Sequence, residues 1–353
     1  ASALSHRNMI INGAMQVAQR GTSSSGVTSG GYHNAPDRFT TGISNIGAYT
    51  ISQSTDAPAG FAKSYKIDCT TADTSPSAQD NFTFETRLEG HDLQGWKKGT
   101  SSALPVTLSF WVKSNKTGNG QVNLRDLDNS RQCGKTYTIS SANTWEYKTI
   151  TFPADTTGAF GDDNNNSLRV EWWIDSGSNF KSGTIPTAWV NNADNQHRNV
   201  GGTLNLADST ANNWYITGIQ LELGSVATPF ENRSFADELQ RCKRYYEKFL
   251  QGASPPVVRE ALCTGVWYQA GETIVMMEYY TKRAIPSITS SSADFMRCYY
   301  AGGSQLSNEQ NPFDNIGVNS SRMVCTMANN GTAGHGAYCQ LTGSSSVEIN
   351  AEL

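Results

Sequence analysis

The sequence predicts an all-β protein: a jelly-roll β-sandwich followed by one linking helix and a second, smaller β-sandwich. Only 16% of the 353 residues are charged and 37% are hydrophobic, while glycine alone contributes 32. Such a composition leaves many uncharged polar residues for turns and long loops. A net charge of −4 and an aromatic content of 10% argue against disorder. Short segments that alternate polar and apolar residues recur along the chain, and this period of two is typical of half-buried strands.

The first two predicted parts are an N-terminal attachment arm and a jelly-roll domain. Residues 1–38 are expected to form the arm and the first strand, because a short apolar run is followed by a Ser/Gly-rich stretch with the composition of a connector. Residues 39–232 are expected to form the jelly roll. Their alternating segments are separated by Asn, Gly, Asp and Pro, as hairpin connections require.

A linking helix is predicted over residues 233–252, and a C-terminal β domain over residues 253–353. Ser234 is placed to cap the helix. An apolar stripe at spacings of three and four predicts a packing or oligomerisation face. The stripe consists of Phe235, Leu239, Cys242, Tyr246 and Phe249.

Charge, hydropathy and cysteine content exclude several classes of protein. The near-neutral charge offers no electrostatic footprint for nucleic acid. No apolar stretch is long enough to predict membrane insertion. The N-terminal residues lack the pattern of a signal peptide, which favours synthesis in a bacterial cytoplasm. The seven cysteines are scattered and odd in number, so buried free thiols are favoured over a disulfide or metal role.

No catalytic signature is found, and the sequence therefore predicts a protein that is not an enzyme and needs no cofactor. There is no phosphate-binding loop, dinucleotide fingerprint or nucleophile elbow. Isolated carboxylates such as Glu171 and Asp175 are interpreted as solvated residues rather than a glycosidase pair. The acidic and Asn-rich run at residues 162–166 could offer oxygen ligands to Ca²⁺. A plain turn is favoured there, so no metal site is predicted.

Tryptophans are concentrated in the predicted jelly roll, and they suggest a ligand site. Trp172 and Trp173 are adjacent in a strand, so they must face opposite sides of the sheet. An exposed tryptophan beside Asn- and Asp-rich loops suits a sugar ring. The predicted ligand-binding residues are Trp173, Trp189, Asn191, Asn192 and Asp194. The alternative is that a second sheet covers one face of the strand and a loop or subunit covers the other.

Three sets of motifs resemble bacteriophage tail-fibre and tail-associated virion proteins, whose jelly roll is similar to carbohydrate-binding modules. The N-terminal set comprises an Asn-Gly opening, a Gln-Arg-Gly and an Asp-Arg-aromatic, in residues 8–13, 19–21 and 36–39. The second set lies in the jelly roll, at residues 108–114, 150–155 and 214–224. The third set surrounds the helix, at residues 227–231 and 238–246.

This resemblance implies a structural component of a virion, most directly a homotrimeric tail fibre or appendage that mediates host attachment. The expected partners are other copies of the chain, neighbouring virion proteins bound through the N-terminal arm, and a host-surface glycan. One alternative is a capsid decoration or cement protein that stabilises the head. A third, a polysaccharide-degrading tail spike, is disfavoured because the repeated short turns of a β-helix are missing from the sequence.

Overall fold

Antiparallel strands dominate both parts of the chain in a computed structural model, which describes residues 6–191, 197–250, 261–327, 331–343 and 345–353. The chain divides into two compact units, Ala1–Glu238 with Leu353, and Leu239–Glu352. The predicted all-β fold class, with two β regions, is confirmed.

The first unit contains twelve strands within the described residues. They are β1 (Ser23–Val27), β2 (Phe39–Ser44), β3 (Ala48–Ser54), β4 (Ser64–Thr71), β5 (Asn81–Glu89), β6 (Val106–Ser114), β7 (Gly118–Asp126), β8 (Arg131–Ile139), β9 (Glu146–Phe152), β10 (Asn166–Ser176), β11 (Val190–Asn191) and β12 (Asn213–Leu223). Short 3₁₀ helices occur at Gly90–Trp96, Ser178–Phe180 and Leu206–Asp208.

These strands form two six-stranded sheets that pack face to face. We call the sheet with strand order β1-β3-β4-β12-β6-β9 the aromatic sheet, and the sheet with order β11-β8-β7-β10-β5-β2 the charged sheet. Because side chains alternate along each strand, every second residue enters the core. Phe110 of β6 and Trp172 of β10 meet there edge to face, with ring centroids 5.7 Å apart. One hydrophobic core therefore joins the inner faces of both sheets.

The N-terminal segment from residue 6 to residue 38 packs within the first unit. The Met9 amide donates to the Leu221 carbonyl at 2.9 Å, and the Ile219 amide donates to the Gly13 carbonyl at 3.0 Å. A β-carbon at Gly13 would lie 2.1 Å from the Ile219 oxygen, so the backbone approach requires glycine. The Asn-Gly opening is thus bound along β12, the last strand of the sandwich.

The predicted helix is real but shorter than expected. Helix α1 spans Phe235–Lys243, with the Ser234 hydroxyl accepting a hydrogen bond from the Asp237 amide at 3.1 Å. Tyr246 and Phe249 instead lie on a strand that pairs with residues 346–350. The prediction of one stripe through Phe249 was wrong, because a tertiary strand pairing overrides the helical periodicity. No helix in the described part of the chain is long and apolar enough to cross a membrane.

Of the other stripe residues, Cys242 is buried and Leu239 is half-buried. Phe235 is exposed at the first position of the helix.

The strands of the second unit are β13 (Tyr246–Leu250), β14 (Ala261–Gln269), β15 (Glu272–Glu278), β16 (Ser287–Ser290), β17 (Met296–Tyr300), β18 (Gly303–Leu306), β19 (Phe313–Asp314), β20 (Ser320–Thr326), β21 (Gly336–Leu341) and β22 (Ser346–Asn350). They form a three-stranded sheet with the order β13-β22-β16 and a seven-stranded sheet with the order β18-β17-β21-β14-β15-β20-β19. Its core is separate from that of the first unit.

The cysteines depart in part from the prediction. Cys298 and Cys339 lie directly opposite each other on β17 and β21 and form a disulfide, so the interpretation of seven free thiols was wrong for this pair. Facing positions on neighbouring strands bring two cysteines within bonding reach although 41 residues separate them. The other five cysteines are buried free thiols, as predicted: Cys69, Cys133, Cys242, Cys263 and Cys325.

Candidate functional site

Both tryptophans of the predicted ligand site are buried in the first unit. Trp173, 3% exposed, packs against the Phe180 ring at 5.0 Å, and its indole N–H donates to Glu171 Oε2 at 3.3 Å. Trp189, 8% exposed, packs edge to face on Trp96 and donates to the Pro153 carbonyl at 2.9 Å. A ring covered in this way offers no free face for a sugar.

Of the remaining predicted ligand residues, the structure describes Asn191 alone. Asn191 ends the two-residue strand β11, where it pairs with Arg131 of β8 and is exposed. Asn192 and Asp194 lie outside the described residues. We therefore sought exposed aromatic rings elsewhere on the first unit.

An open groove of about 730 Å³ lies on the outer face of the aromatic sheet, and we call it the aromatic groove. Two ring pairs build it. Trp111 of β6 lies opposite Tyr147 of β9, with ring centroids 5.3 Å apart. Phe61, just before β4, meets Phe230, which follows β12, at 5.0 Å in an edge-to-face arrangement. The Tyr147 side chain is 45% exposed, so one ring face is free for a ligand.

A β-bulge in β12 makes room for these rings. The pairing of β12 with β6 shifts register between Thr217 and Gln220, and Gly218 between them has a φ of +63°. A β-carbon at Gly218 would lie 2.7 Å from Phe61 Cζ and 3.1 Å from Trp111 Cδ1. Glycine is needed here for both its backbone conformation and its lack of a side chain. The bulge thus lets aromatic rings approach the sheet and form the floor of the groove.

The groove combines aromatic rings with hydroxyl groups. Ser109 and Thr149 face each other across β6 and β9, and Thr228 also lines the groove. No charged side chain occurs among the lining residues, all of which belong to the described chain. They are Phe61, Ser109, Trp111, Tyr147, Thr149, Gly218, Ser225, Val226, Ala227, Thr228, Pro229 and Phe230. An uncharged lining of this kind favours a neutral ligand with both apolar and hydroxyl surfaces.

The next row of the same sheet face carries charges, but they are paired. Lys113 binds Asp56 and lies over the Tyr215 ring at 4.5 Å. Asp56 also accepts a hydrogen bond from the Trp145 indole at 3.1 Å. Partial desolvation opposes ionisation of Asp56, but the hydrogen bonds from Lys113 and Trp145 still hold its pKa below the ordinary value. This row therefore contributes little net charge beside the groove.

The outer face of the charged sheet is occupied by ion pairs and by a covering loop. Glu85 and Glu171 lie directly opposite each other on β5 and β10, and Arg125 donates to Glu171 Oε1 at 2.7 Å. Burial, and then the negative charge of Glu171, raise the pKa of Glu85. Gln121 and Asn123 on β7 donate side-chain hydrogen bonds to carbonyls of residues 197 and 198. This face is packed rather than open.

Residues 162–165 form a bend that leads into β10 at Asn166. Asp162 pairs with the His91 ring at 2.8 Å, and both side chains are largely exposed. The Asp163 carboxylate accepts hydrogen bonds from Asn165. Within the ranges that the structure describes, no group of three or more His, Cys, Asp or Glu residues could hold a metal ion.

Sequence reasoning missed the groove because its residues are far apart in the chain. Phe61, Trp111 and Tyr147 come from three separate segments, and Phe230 lies beyond the last strand of the first unit. One local signal was available: the glycine in the middle of the alternating strand 214–223 indicates a bulge or a close approach of another group.

No protein-family model matches this sequence, and no curated protein matches it. Among solved structures, the enzymatically active domain of bacteriophage CBA120 tailspike protein 4 is similar at a TM-score of 0.31 and 13% identity. That match covers 61% of this chain and 21% of the tailspike chain. The carbohydrate-binding module TmCBM61, in complex with β-1,4-galactotriose, is similar at a TM-score of 0.29 and 8% identity, covering 62% of this chain and 99% of the module.

The family 11 carbohydrate-binding module from Clostridium thermocellum, in complex with a mixed-linked tetrasaccharide, is similar at a TM-score of 0.28 and 8% identity. Its match covers 59% of this chain and 99% of the module. These neighbours are carbohydrate-binding modules and one phage tailspike domain.

Proposed function

We propose that the first unit binds a neutral glycan in the aromatic groove and that the chain is a non-enzymatic attachment protein of a bacteriophage appendage. One observation carries the glycan proposal: partly exposed aromatic rings and hydroxyl groups share a groove that has no charged lining. The C–H face of a sugar packs on aromatic rings, while its hydroxyls exchange hydrogen bonds with Ser, Thr and Tyr.

The phage assignment is supported by the motifs that resemble tail-fibre proteins, at residues 8–13, 19–21, 36–39, 108–114, 150–155, 214–224, 227–231 and 238–246. We further propose a homotrimer that attaches to neighbouring virion proteins through the N-terminal segment. Each stacked ring contributes only about 1 kcal/mol, so a single groove would bind weakly. Several grooves on one appendage would bind a repetitive host surface more strongly through avidity.

The test is glycan binding by the full chain and two matched variants, measured on an array of neutral and acidic oligosaccharides. Trp111→Ala removes a ring from the groove, whereas Tyr268→Ala removes an exposed ring from the second unit. We expect neutral glycans to bind the wild type and the Tyr268 variant. The Trp111 variant should lose roughly fivefold or more in affinity, equivalent to about 1 kcal/mol.

Two results would count against this proposal. Equal affinity of wild type and Trp111→Ala, with both proteins folded by circular dichroism, would remove the groove as the binding site. Failure of the wild type to bind any glycan, together with a loss of capsid stability in particles carrying Trp111→Ala, would favour the capsid decoration function instead.

A further inference from the structure

A buried lysine lies at one end of the sandwich between two aspartates. Lys98 Nζ donates to Asp126 Oδ2 at 2.5 Å and lies 3.1 Å from Asp155 Oδ2. The side chains of Lys98 and Asp126 are fully buried, and that of Asp155 is 4% exposed. The Phe160 and Trp189 rings lie 5.2 and 5.1 Å from the ammonium nitrogen. Such a site excludes water from the contact between an amine and a carboxyl group.

We propose that Lys98 and Asp126 join covalently, forming an isopeptide bond between Lys98 Nζ and Asp126 Cγ with loss of water. The Lys98 nitrogen is hydrogen-bonded to one oxygen of the Asp126 carboxyl group, one covalent bond away from the carbon that it would attack. Holding two reacting groups at about 3–3.5 Å turns a slow bimolecular condensation into an intramolecular step. The inference does not depend on the glycan proposal.

The site also holds the groups that such a condensation needs. Asp155 is placed to take a proton from the Lys98 ammonium and leave a neutral amine. The amine then attacks Cγ of Asp126. The Asn129 backbone amide donates to Asp126 Oδ1 at 3.0 Å, where it stabilises the negative charge of the tetrahedral intermediate. The Asn129 side-chain amide donates to both carboxyl oxygens, at 3.2 Å to Oδ1 and 2.9 Å to Oδ2.

The atoms and charges balance without any external reagent. One ammonium and one carboxylate become one secondary amide and one water. Oδ2 leaves as that water with two hydrogens from the original ammonium, one of them relayed by Asp155. Oδ1 becomes the amide oxygen, and no group is oxidised or reduced. Two charges are removed from a dry interior, where an ion pair is costly to maintain.

Arg131 explains why Asp155 stays charged after the reaction. Its guanidinium donates to both Asp155 oxygens, at 2.7 and 3.0 Å. Burial raises the pKa of Asp155, but the hydrogen bonds from Arg131 and Lys98 outweigh this effect and hold the pKa below its ordinary value. Asp155 is therefore ionised both before and after it relays the proton.

The test is the intact mass of the purified full chain after reduction of its Cys298–Cys339 disulfide. We expect a mass about 18 Da below that of the sequence, the loss of one water. Tryptic digestion should yield residues 98–113 joined to residues 126–131, with Lys98 resistant to cleavage. Lys66 and Asp68 form an exposed ion pair at 2.8 Å and provide the internal control, since their peptides should remain separate.

Three variants test which residues form the isopeptide bond and whether Asp155 relays the proton. Lys98→Met and Asp155→Asn should show the full mass of their sequences, because the first lacks the amine and the second lacks the proton acceptor. Asp126→Asn should lose about 17 Da, because its reaction would release ammonia. A folded wild type with the full sequence mass would overturn the proposal, as would a water loss that persists in Lys98→Met.

Discussion

The outer faces of the two sheets in the first unit follow the same alternation of side chains, but one face is open to solvent and the other is covered. On the aromatic sheet, the outward residues Trp111 and Tyr147 line an open groove. On the charged sheet, the outward residues Glu171 and Trp173 are buried, because ion pairs and the chain after β10 cover that face. A period of two therefore tells which residues point away from the core, but not which of them reach solvent.

The difference in exposure between the two outer faces depends on the segments that connect the strands. The long connection between β10 and β12 contributes carbonyl and amide groups to the polar side chains of β7, including Gln121 and Asn123. Once polar groups are buried, they must be paired, so the loop and the sheet face constrain each other. The aromatic sheet needs no such cover, since its groove lining is uncharged.

The largest expected effect tests the covered face. Trp173→Ala should lower the free energy of unfolding by about 3–5 kcal/mol, because it leaves a cavity beside Phe180 and removes a hydrogen bond to Glu171. Glycan binding by the folded fraction should be unchanged. Urea titration followed by circular dichroism measures the first effect. A loss below 1 kcal/mol would mean that this face is not packed.

A middle-sized effect is expected at the bulge. Gly218→Ala should destabilise the protein by about 2–3 kcal/mol, because strain at positive φ adds to the contact with the Phe61 ring. Gly26→Ala is the matched control, since Gly26 has a φ of +65° and no atom within 4 Å of the added β-carbon. Equal losses in the two variants would show that the rings do not depend on this glycine. Glycan affinity should fall only in the Gly218 variant.

The smallest effect is a pH dependence on the charged face. Because the pKa of Glu85 is raised in the folded state, its protonated form stabilises the fold below the usual pKa of glutamate. That contribution is lost as the pH rises through the raised pKa. The stability of wild type relative to Glu85→Gln should therefore fall between acidic and neutral pH. Thermal melts of both proteins across pH 3.5–8, around the usual glutamate pKa of about 4.3, measure this difference in stability. A difference in melting temperature that stays constant with pH would contradict the prediction.

Much of the fold was predictable from the sequence, because strand alternation and turn residues are local signals. The alternating segments around residues 106–112, 168–174 and 214–223 all lie in observed strands. The end of the helix was not predictable, since Tyr246 and Phe249 satisfy a helical stripe and become a strand only by pairing with β22.

Most of the candidate site could not be predicted from the sequence, because it too depends on tertiary contacts. Trp111 and Trp173 have similar surroundings in the chain, and only the tertiary cover distinguishes the half-buried Trp111 from the buried Trp173. Trp189 was predicted as a ligand contact, but it lies at the edge of the Lys98 cluster in the core. Spatial neighbours from distant segments decided each of these outcomes.

The binding of the N-terminal segment to the end of the sandwich has a mechanical consequence. Asn8 donates to Glu231 at 2.8 Å, Arg7 donates to the Pro229 carbonyl at 3.0 Å, and Arg233 donates to the Ile10 carbonyl at 3.1 Å. Tension applied between residue 6 and Arg233 would therefore pass through this clamp and would not pull directly on the two sheets. The hydrogen bonds of the clamp would carry the tension, and the sheets and the aromatic groove would keep their shape.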